Sequence, residues 1–409
     1  MRELKQLDRP VLMAIVVASL GYFVDIYDLL LFSMVRTRSL SDLGVSADQM
    51  IDVGTYLMDA QMLGLLFGGV LWGVLGDKRG RLSVLFGSIF LYSAANIANA
   101  FVTTVDQYAA LRLIAGIGLA GELGAGITLI AELLPQRLRG YGTSIVAGVG
   151  ILGAVFGGLV AEFVPSWRAA YIIGGVMGFL VLLLRVGVRE SGMFHRTKET
   201  SIARGNFFSI FTRWQTFKKF LAVILIGVPI WYVVGILMTF SPEFGKAWGM
   251  DAPPEAHLAV LFCYAGLSVG DFMSGIVSHR LQSRRKAIFG YLIGVAVMVV
   301  VFLTMAKASL FAFYLCCLII GFFSGYWAMF VTVAAEQFGT NIRATMTTSV
   351  PNFVRASVIP MNVVFRWGIP TMGVMLSGAV TGLIAMIVAF VALGFLEETF
   401  HKDLDYHEG

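Results

Sequence analysis

Several ionisable side chains stand inside long apolar stretches of the chain, among them Asp25, Asp28, Glu122 and Arg355. An ionisable group near the middle of a membrane costs at least about 2.5 kcal/mol on insertion scales, so each of these groups needs a partner or a function. Two chemistries suit them. Carboxylates crowded together in a medium of low dielectric constant can take up a proton, and a guanidinium can hold a carboxylate or phosphate through two parallel hydrogen bonds.

The three acids are expected to lie near one another. Asp25 and Asp28 are three residues apart, so they share one face of a helix. Counted from the predicted inner ends of their helices at 1.5 Å per residue, Asp25 lies roughly 21 Å and Glu122 about 16 Å into the membrane. The pattern predicts a group of proton-coupling acids. One alternative stays open, in which Asp28 pairs with Arg112 and Glu122 has only a structural role.

Arg355 is predicted to lie close to mid-membrane, about 11 residues from the inner end of its helix at 1.5 Å per residue. Its planar guanidinium is suited to an anionic substrate, and the alternative is a salt bridge to an acid of the other half of the molecule. A further group of polar and aromatic side chains is expected to line the same site, although a core or lipid-facing position remains open for the aromatic ones. This group is Tyr27, Trp231, Tyr232, Tyr326, Trp327 and Asn352.

The composition identifies the elements that must position these groups. The 409 residues are 58% hydrophobic and 13% charged, which predicts an integral membrane protein rather than a soluble one. A net charge of +5 could suit nucleic acid, but the cations are confined to short loops, so no nucleic-acid partner is expected. The three cysteines, Cys263, Cys316 and Cys317, lack metal-ligand spacing. Neither a metal site nor a cofactor is expected.

Twelve apolar spans predict an all-α polytopic membrane protein. Those of the first half are 11–33, 51–75, 82–102, 107–133, 140–163 and 169–188. Those of the second half are 220–243, 257–279, 287–306, 309–336, 345–367 and 371–396. Each is long enough to cross a hydrocarbon core of about 30 Å.

The distribution of cations predicts the orientation. If both termini are cytoplasmic, the cytoplasmic segments carry 21 Lys and Arg residues. The opposite loops carry six: Arg36, Arg38, Arg168, Lys246, Lys307 and Arg366. Such a bias is typical of membrane proteins with cytoplasmic N- and C-termini. The start of the chain has no signal-peptide cleavage site and is interpreted as a cytoplasmic tail.

The longest loop divides the chain into two similar halves. We predict a six-helix bundle over residues 1–188, a cytoplasmic linker with an interfacial helix over 189–219, and a second bundle with a short tail over 220–409. The two halves share a sequence pattern. Glu132 and Arg139 of the first half correspond to Glu336 and Arg343 about 200 positions later. Parallel six-helix repeats place a substrate cavity at their interface.

The turn between the second and third spans carries the most specific motif, Gly76-Asp77-Lys78-Arg79-Gly80-Arg81. It resembles the loop between helices 2 and 3 of the major facilitator superfamily. The end of the fourth span and the acidic segment 25–28 are similar to the branch of sugar porters and proton symporters of organic acids and phosphate. The resemblance implies alternating access, and we assign conformational roles to one set of residues. This set is Gly76, Asp77, Arg79, Gly80, Arg81, Arg112, Glu132, Arg139, Asp271, Glu336 and Arg343.

The predicted function is proton-coupled symport of a small organic anion across a bacterial inner membrane by a monomer, without enzymatic activity. The expected partners are the lipid bilayer, a small-molecule substrate and protons. A proton-coupled sugar or polyol carrier is the first alternative, and a cation or metal carrier is a weaker one. Drug efflux is disfavoured because Ala154 follows Gly153 where that branch has proline. A non-transporting sensor with a carrier fold would need an output domain. Asp59, in the second span, has no assigned role.

Overall fold

The computed structural model describes residues 9–134, 136–187, 210, 213–338 and 343–400, and the regular structure in these ranges is helical. The first half contains α1 Arg9–Asp42, α2 Met50–Arg79, α3 Arg81–Asn99, α4 Val105–Leu119, α5 Glu122–Leu133, α6 Gln136–Phe163 and α7 Trp167–Leu184. The second half contains α8 Trp214–Tyr232, α9 Ser241–Ala247, α10 Ala256–Leu281, α11 Arg284–Met305, α12 Leu310–Ser324, α13 Trp327–Glu336, α14 Arg343–Ala356 and α15 Val358–Phe395. A π-helical turn, Val233–Met238, continues α8.

The described helices cross the membrane twelve times. Eleven segments are long and apolar enough to cross, and the last of them, Thr345–Phe395, has 51 residues. Such a segment would be about 76 Å long if it were straight, far more than one crossing needs. Instead, Gly373 adopts φ +74°, and the hydroxyl of Ser377 donates to the carbonyl oxygen of Phe365 twelve residues earlier. The chain therefore reverses at Gly373 and crosses a second time, as predicted.

Three predicted spans are interrupted near their centres. The fourth span breaks at residues 120–121, the tenth at 325–326 and the eleventh at Ser357. At the second break, a Cβ on Gly325 would lie 2.5 Å from the main chain of the neighbouring α10, so the close approach requires glycine. Unpaired backbone groups at membrane depth are tolerated only inside protein or beside a cavity. The breaks are therefore expected to be enclosed by protein or to lie beside a cavity.

The predicted internal repeat is visible in the packing. In the first half, a Cβ on Gly64 of α2 would lie 2.1 Å from the carbonyl oxygen of Leu113 in α4. In the second half, a Cβ on Gly266 of α10 would lie 1.9 Å from the carbonyl oxygen of Leu318 in α12. Equivalent helices thus make the same glycine-to-carbonyl contact in both halves. The halves face each other through α6 against α10 and α2 against α14.

Two helix boundaries differ from the predicted ones. The first span extends to Asp42, so Arg36 and Arg38, predicted in a loop, lie in α1. They can do so because acceptors of the bundle bind both guanidinium groups, as described below. The seventh span begins at Trp214 rather than at 220. Most of the predicted linker and its interfacial helix lie outside the described residues.

Candidate functional site

A small cavity lies between the two halves at the level of the helix breaks. Its volume is about 20 Å³. Four aromatic side chains and one guanidinium form its polar and aromatic walls: Tyr22, Trp231, Tyr264, Trp327 and Arg355. A volume of this size holds about one water molecule, so this conformation is occluded around the cavity.

A second cavity of about 220 Å³ lies next to the first, toward the turn at Gly80. Its walls include Leu123 and Ile127 of α5 and Val331 of α13. Tyr22 and Trp327 line both cavities, so these two rings separate one from the other. We call the side of the bundle with the α2–α3 turn the Gly80 end, and the opposite side the Arg36 end.

Arg355 forms an ion pair with Asp25 across the two halves. Its Nη2 lies 3.6 Å from Oδ2 of Asp25, and the two side chains are 1% and 0% exposed. Its Nη1 donates to Oδ1 of Asn352 at 3.3 Å, and its guanidinium carbon lies 5.9 Å from the centre of the Trp327 ring. Among the described residues, neither oxygen of Asp25 accepts a hydrogen bond of good geometry. The salt bridge that the sequence left open is therefore formed, but it is loose.

Glu122 has a partner that the sequence did not suggest. Arg185, at the end of α7, donates to both carboxylate oxygens of Glu122, and its Nη1 also donates to the carbonyl oxygen of Leu85 at 2.6 Å. Glu122 and Arg185 are both 1% exposed in their side chains. Glu122 is thus paired with a cation of its own half. Sequence spacing could not reveal this pair, because 63 positions separate its members.

The proposed alternative partner of Asp28 is engaged elsewhere. Arg112 donates to the side-chain oxygen of Gln61, and it lies over the rings of Phe32 and Tyr171. Asp28 is fully buried, and neither of its oxygens has a hydrogen-bond partner among the described residues. The Asp28–Arg112 pair that the sequence allowed is therefore not formed in this conformation. A buried carboxyl without a partner is costly in its charged form.

Two further acids within the spans bind polar groups at specific places. Asp271 accepts a hydrogen bond of 2.7 Å from the main-chain N–H of Ala328, in the first turn of the half-helix α13. Its charge therefore lies at the positive end of a helix that begins with Trp327. Asp59, which had no assigned role, accepts a hydrogen bond of 2.6 Å from Asn362 in the other half.

The predicted substrate residues divide into two groups. Trp231 and Trp327 line the occluded cavity, and Asn352 binds both Arg355 and the carbonyl oxygen of Ala120 at the fourth-span break. The three predicted tyrosines point elsewhere: each hydroxyl donates at 2.8 Å to a carbonyl oxygen of its own half. These bonds are Tyr27 to Ala170, Tyr232 to Gly378 and Tyr326 to Ile226. The cavity residues Tyr22 and Tyr264 were missed, because a single tyrosine in an apolar helix carries no distinguishing signal.

Ion pairs between the halves close the Arg36 end. Nη2 of Arg36 lies 2.6 Å from Oε2 of Glu243. The guanidinium also donates to the carbonyl oxygens of Met50 and Thr239. The buried ring of His257 lies 2.6 Å from Glu162. Two longer ion pairs also join the halves here among the described residues: Arg38 with Glu255 at 3.3 Å, and Arg366 with Asp52 at 4.0 Å. Arg38 is fixed in addition by the carbonyl oxygen of Ala161.

The residues with predicted conformational roles at the Gly80 end are described only in part. Gly80 has φ +98°, which its place between α2 and α3 requires, and its N–H donates to the carbonyl oxygen of Gly76. Arg79 is exposed. Glu336 forms a 3.2 Å pair with Arg284. The remaining side chains lie outside the part that the structure describes: Asp77, Arg81, Glu132, Arg139 and Arg343.

Comparison with known proteins gives consistent matches. The sequence model of the family described as Major Facilitator Superfamily matches residues 12–359. A putative metabolite transport protein of Haemophilus influenzae is 28% identical over 360 residues, which cover 84% of this chain and 85% of that protein. The 4-hydroxybenzoate transporter PcaK of Pseudomonas putida is 36% identical over 143 residues, or 34% of this chain and 32% of the relative.

A relative with a wider match is the putative niacin/nicotinamide transporter NiaP of Bacillus subtilis, which is 24% identical over 83% of this chain and 84% of its own length. Among solved structures, a D-xylose-proton symporter superposes with a TM-score of 0.73 over 95% of this chain and 98% of the symporter. Its sequence identity is 17%, so this match supports the fold alone.

Proposed function

Because this chain belongs to the major facilitator superfamily of membrane transporters, we propose that it takes up a small organic anion together with a proton. The observation that carries the proposal is the Asp25–Arg355 pair, which lies in the wall of the occluded cavity and joins the two halves. The two predicted six-helix bundles, 1–188 and 220–409, rock against each other around this cavity.

The pair offers a simple way to couple an anion to a proton. A substrate carboxylate takes the place of Asp25 on the guanidinium fork of Arg355, where it gains bidentate geometry. The displaced carboxylate of Asp25 is then buried without a counter-charge, and taking up a proton removes that cost. Binding of the anion and binding of the proton thus favour each other. Asp28, one turn along α1, and Glu122 are the further acids proposed to assist proton transfer.

The aromatic walls indicate the substrate class. Tyr22, Trp231, Tyr264 and Trp327 surround Arg355, and flat rings pack against one another in offset or edge-to-face arrangements. Relatives are named for transport of 4-hydroxybenzoate and of niacin, both aromatic or heteroaromatic acids. We therefore propose an aromatic monocarboxylate. Its ring needs more than the 20 Å³ now free, and movement of Trp327 would join this space to the adjacent 220 Å³.

The excess of Lys and Arg in the loops at the Gly80 end supports a cytoplasmic Gly80 end with cytoplasmic termini. The present conformation, closed at the Arg36 end, is then closed toward the outside. The protein acts as a monomer in this proposal, because one chain supplies both halves of the cavity.

The proposal is tested with purified protein in liposomes. An inward proton gradient should drive accumulation of 4-hydroxybenzoate beyond the level reached in protein-free liposomes, into which the neutral acid also diffuses, and a protonophore should abolish this difference. Benzyl alcohol, which keeps the ring but lacks the carboxylate, should not compete for uptake. Accumulation of xylose in preference to every carboxylate tested would replace the anion proposal with the sugar alternative.

A further inference from the structure

A groove of about 620 Å³ lies at the Gly80 end of the second half, away from the cavities between the halves. It runs between the first turns of α11 and the last turns of α15. Its lining includes Arg285, Lys286, Phe289, Phe390, Gly394 and Glu398. Its volume is much larger than that of either cavity between the halves, and the transport cycle proposed above does not use it.

The groove has a cationic rim and an aromatic floor. Arg285 and Lys286 form no ion pair with any residue that the structure describes, and Lys286 is exposed. Below them, the rings of Phe289 and Phe390 meet edge to face with centres 5.7 Å apart. A ligand that fills the groove therefore meets positive charge at one end and apolar surface at the other.

Glu398 lies in the same groove but forms no ion pair with Arg285 or Lys286 in the described part of the chain. Its carboxylate accepts hydrogen bonds from Ser283 Oγ and from the main-chain N–H groups of Arg284 at 2.9 Å and Arg285 at 3.2 Å. Partial burial alone would raise the pKa of Glu398, but these hydrogen bonds outweigh burial and hold the pKa below its ordinary value. The carboxylate thus fastens the segment after α15 to the start of α11, and together with Arg285 and Lys286 it leaves the groove with a net charge of +1.

The apolar part of the groove continues onto the outer surface of the bundle. On α11, Phe289 is 49% exposed, Ile293 43% and Val300 61%, at spacings that keep them on one face. On α15, Leu383 is 60% and Ile387 53% exposed on the face that leads to Gly394. Such surfaces in a membrane-spanning helix face acyl chains, so the groove opens directly into the hydrocarbon region.

We propose that this groove binds an anionic phospholipid of the surrounding bilayer. The phosphate contacts Arg285 and Lys286, and an acyl chain lies along Phe289 and Phe390. Basic pockets between transmembrane helices near the polar interface are suited to anionic headgroups, and arginine binds phosphate through a planar fork. Charge complementarity favours an anionic lipid over a zwitterionic one, and the apolar floor favours a lipid over free phosphate.

The test compares lipids of matched acyl chains added to the purified full-length protein in neutral detergent. Phosphatidylglycerol should raise the melting temperature and remain bound in native mass spectra, whereas phosphatidylcholine and inorganic phosphate should do neither. The double variant Arg285→Gln with Lys286→Gln should bind phosphatidylglycerol at least about tenfold more weakly, the scale of one charge-assisted hydrogen bond. Arg280→Gln removes an exposed cation at the same end outside the groove and should bind normally.

A second pair of variants tests the apolar part without changing charge. Gly394 and Gly275 are both helical, and a Cβ on either would have no atom within 4 Å. Gly394→Leu fills the groove and should reduce phosphatidylglycerol binding, while Gly275→Leu, outside the groove, should not. An equal response to the anionic and zwitterionic lipids, an equal stabilisation by phosphate alone, or normal binding by both Gly394→Leu and the double variant would overturn the proposal.

Discussion

Asp25 in α1 and Arg355 in α14 face each other across the two halves at 3.6 Å, and both side chains are buried. In the described part of the chain, the other Arg–carboxylate pairs between the halves lie at the Arg36 end. Breaking a buried pair by removing one partner typically costs 3–5 kcal/mol, because it leaves an uncompensated charge. A transporter can use this cost, since a substrate anion and a proton together remove it.

Neutralising Asp25 should uncouple transport from the proton gradient. Asp25→Asn cannot take up a proton, so accumulation driven by a pH gradient should be lost, whereas exchange of labelled for unlabelled substrate should persist. Both activities are measured in the same liposomes. Asp106→Asn, which changes an exposed acid, serves as the control and should behave as wild type. Parallel loss of exchange and accumulation in Asp25→Asn would contradict a coupling role.

Arg355 should depend on its planar fork as well as on its charge. Arg355→Lys keeps the charge but loses bidentate binding, so affinity for a carboxylate substrate should fall by about 1.5 to 3 kcal/mol, or roughly ten- to a hundredfold. Isothermal titration measures the change directly. Equal affinity of the lysine variant would show that Arg355 only bridges to Asp25.

The same pair predicts non-additive stability. Arg355→Gln alone leaves Asp25 without a counter-charge, and Asp25→Asn alone leaves Arg355 without one, so both single variants should unfold at lower temperature. The double variant removes both charges and should recover most of the loss. Additive losses in the double-mutant cycle would mean that the two side chains do not interact.

The sequence predicted the number of crossings and the repeat, because length, hydropathy and charge are local properties of each segment. It did not predict which arginine meets which acid. Glu122 pairs with Arg185 at the end of α7, and Arg112 binds Gln61. The rotation and packing of the helices determine which of these side chains come into contact. The breaks in the fourth and tenth spans were also missed, since glycine is common in transmembrane helices that remain continuous.

The Arg36 end should open when its strongest ion pair is removed. Truncating one partner of a buried, hydrogen-bonded charge pair costs about 2–5 kcal/mol, so Arg36→Ala should populate a conformation open at this end. Spin labels at the exposed positions Asp48 and Asp251 report the distance between the halves. Arg36→Ala should have the larger effect, because Arg36 also binds two carbonyl oxygens, whereas Glu243→Ala removes only the carboxylate. Unchanged distance distributions in both variants would contradict the role of this pair.

Asp271 should act through the position of Trp327. Asp271→Asn can still accept the hydrogen bond from Ala328, whereas Asp271→Ala removes both this bond and the charge at the start of α13. The alanine variant should therefore raise the KM for substrate severalfold more than the asparagine variant does. Ser268→Ala on the same helix, whose hydroxyl donates to the main-chain carbonyl oxygen of Tyr264 one turn earlier, is the matched control. Equal KM values in all three variants would show that Asp271 does not influence substrate binding in the cavity.

Glu398 lies outside the membrane spans, and the stability of the protein should depend on its ionisation and therefore on pH. Its pKa in the folded protein is below the ordinary value, so it stabilises the fold above the unfolded pKa of about 4.3, and this contribution disappears as the pH falls through the folded pKa. Glu398→Gln should therefore lower the melting temperature at pH 7, with a smaller difference from wild type near pH 4. Asp251→Asn, an exposed acid, should show no such trend. A difference that stays constant with pH would exclude a role for the ionised carboxylate.

If a substrate carboxylate replaces Asp25 on Arg355, binding of the substrate must be accompanied by proton uptake. When the aromatic carboxylate that most raises the melting temperature is added to purified protein in weakly buffered solution near pH 7.5, the protein should take up protons, and the pH should rise in proportion to the ligand bound. Asp25→Asn should bind the same ligand with much less proton uptake. Binding without proton uptake in the wild type, or the same uptake in Asp25→Asn, would contradict the account.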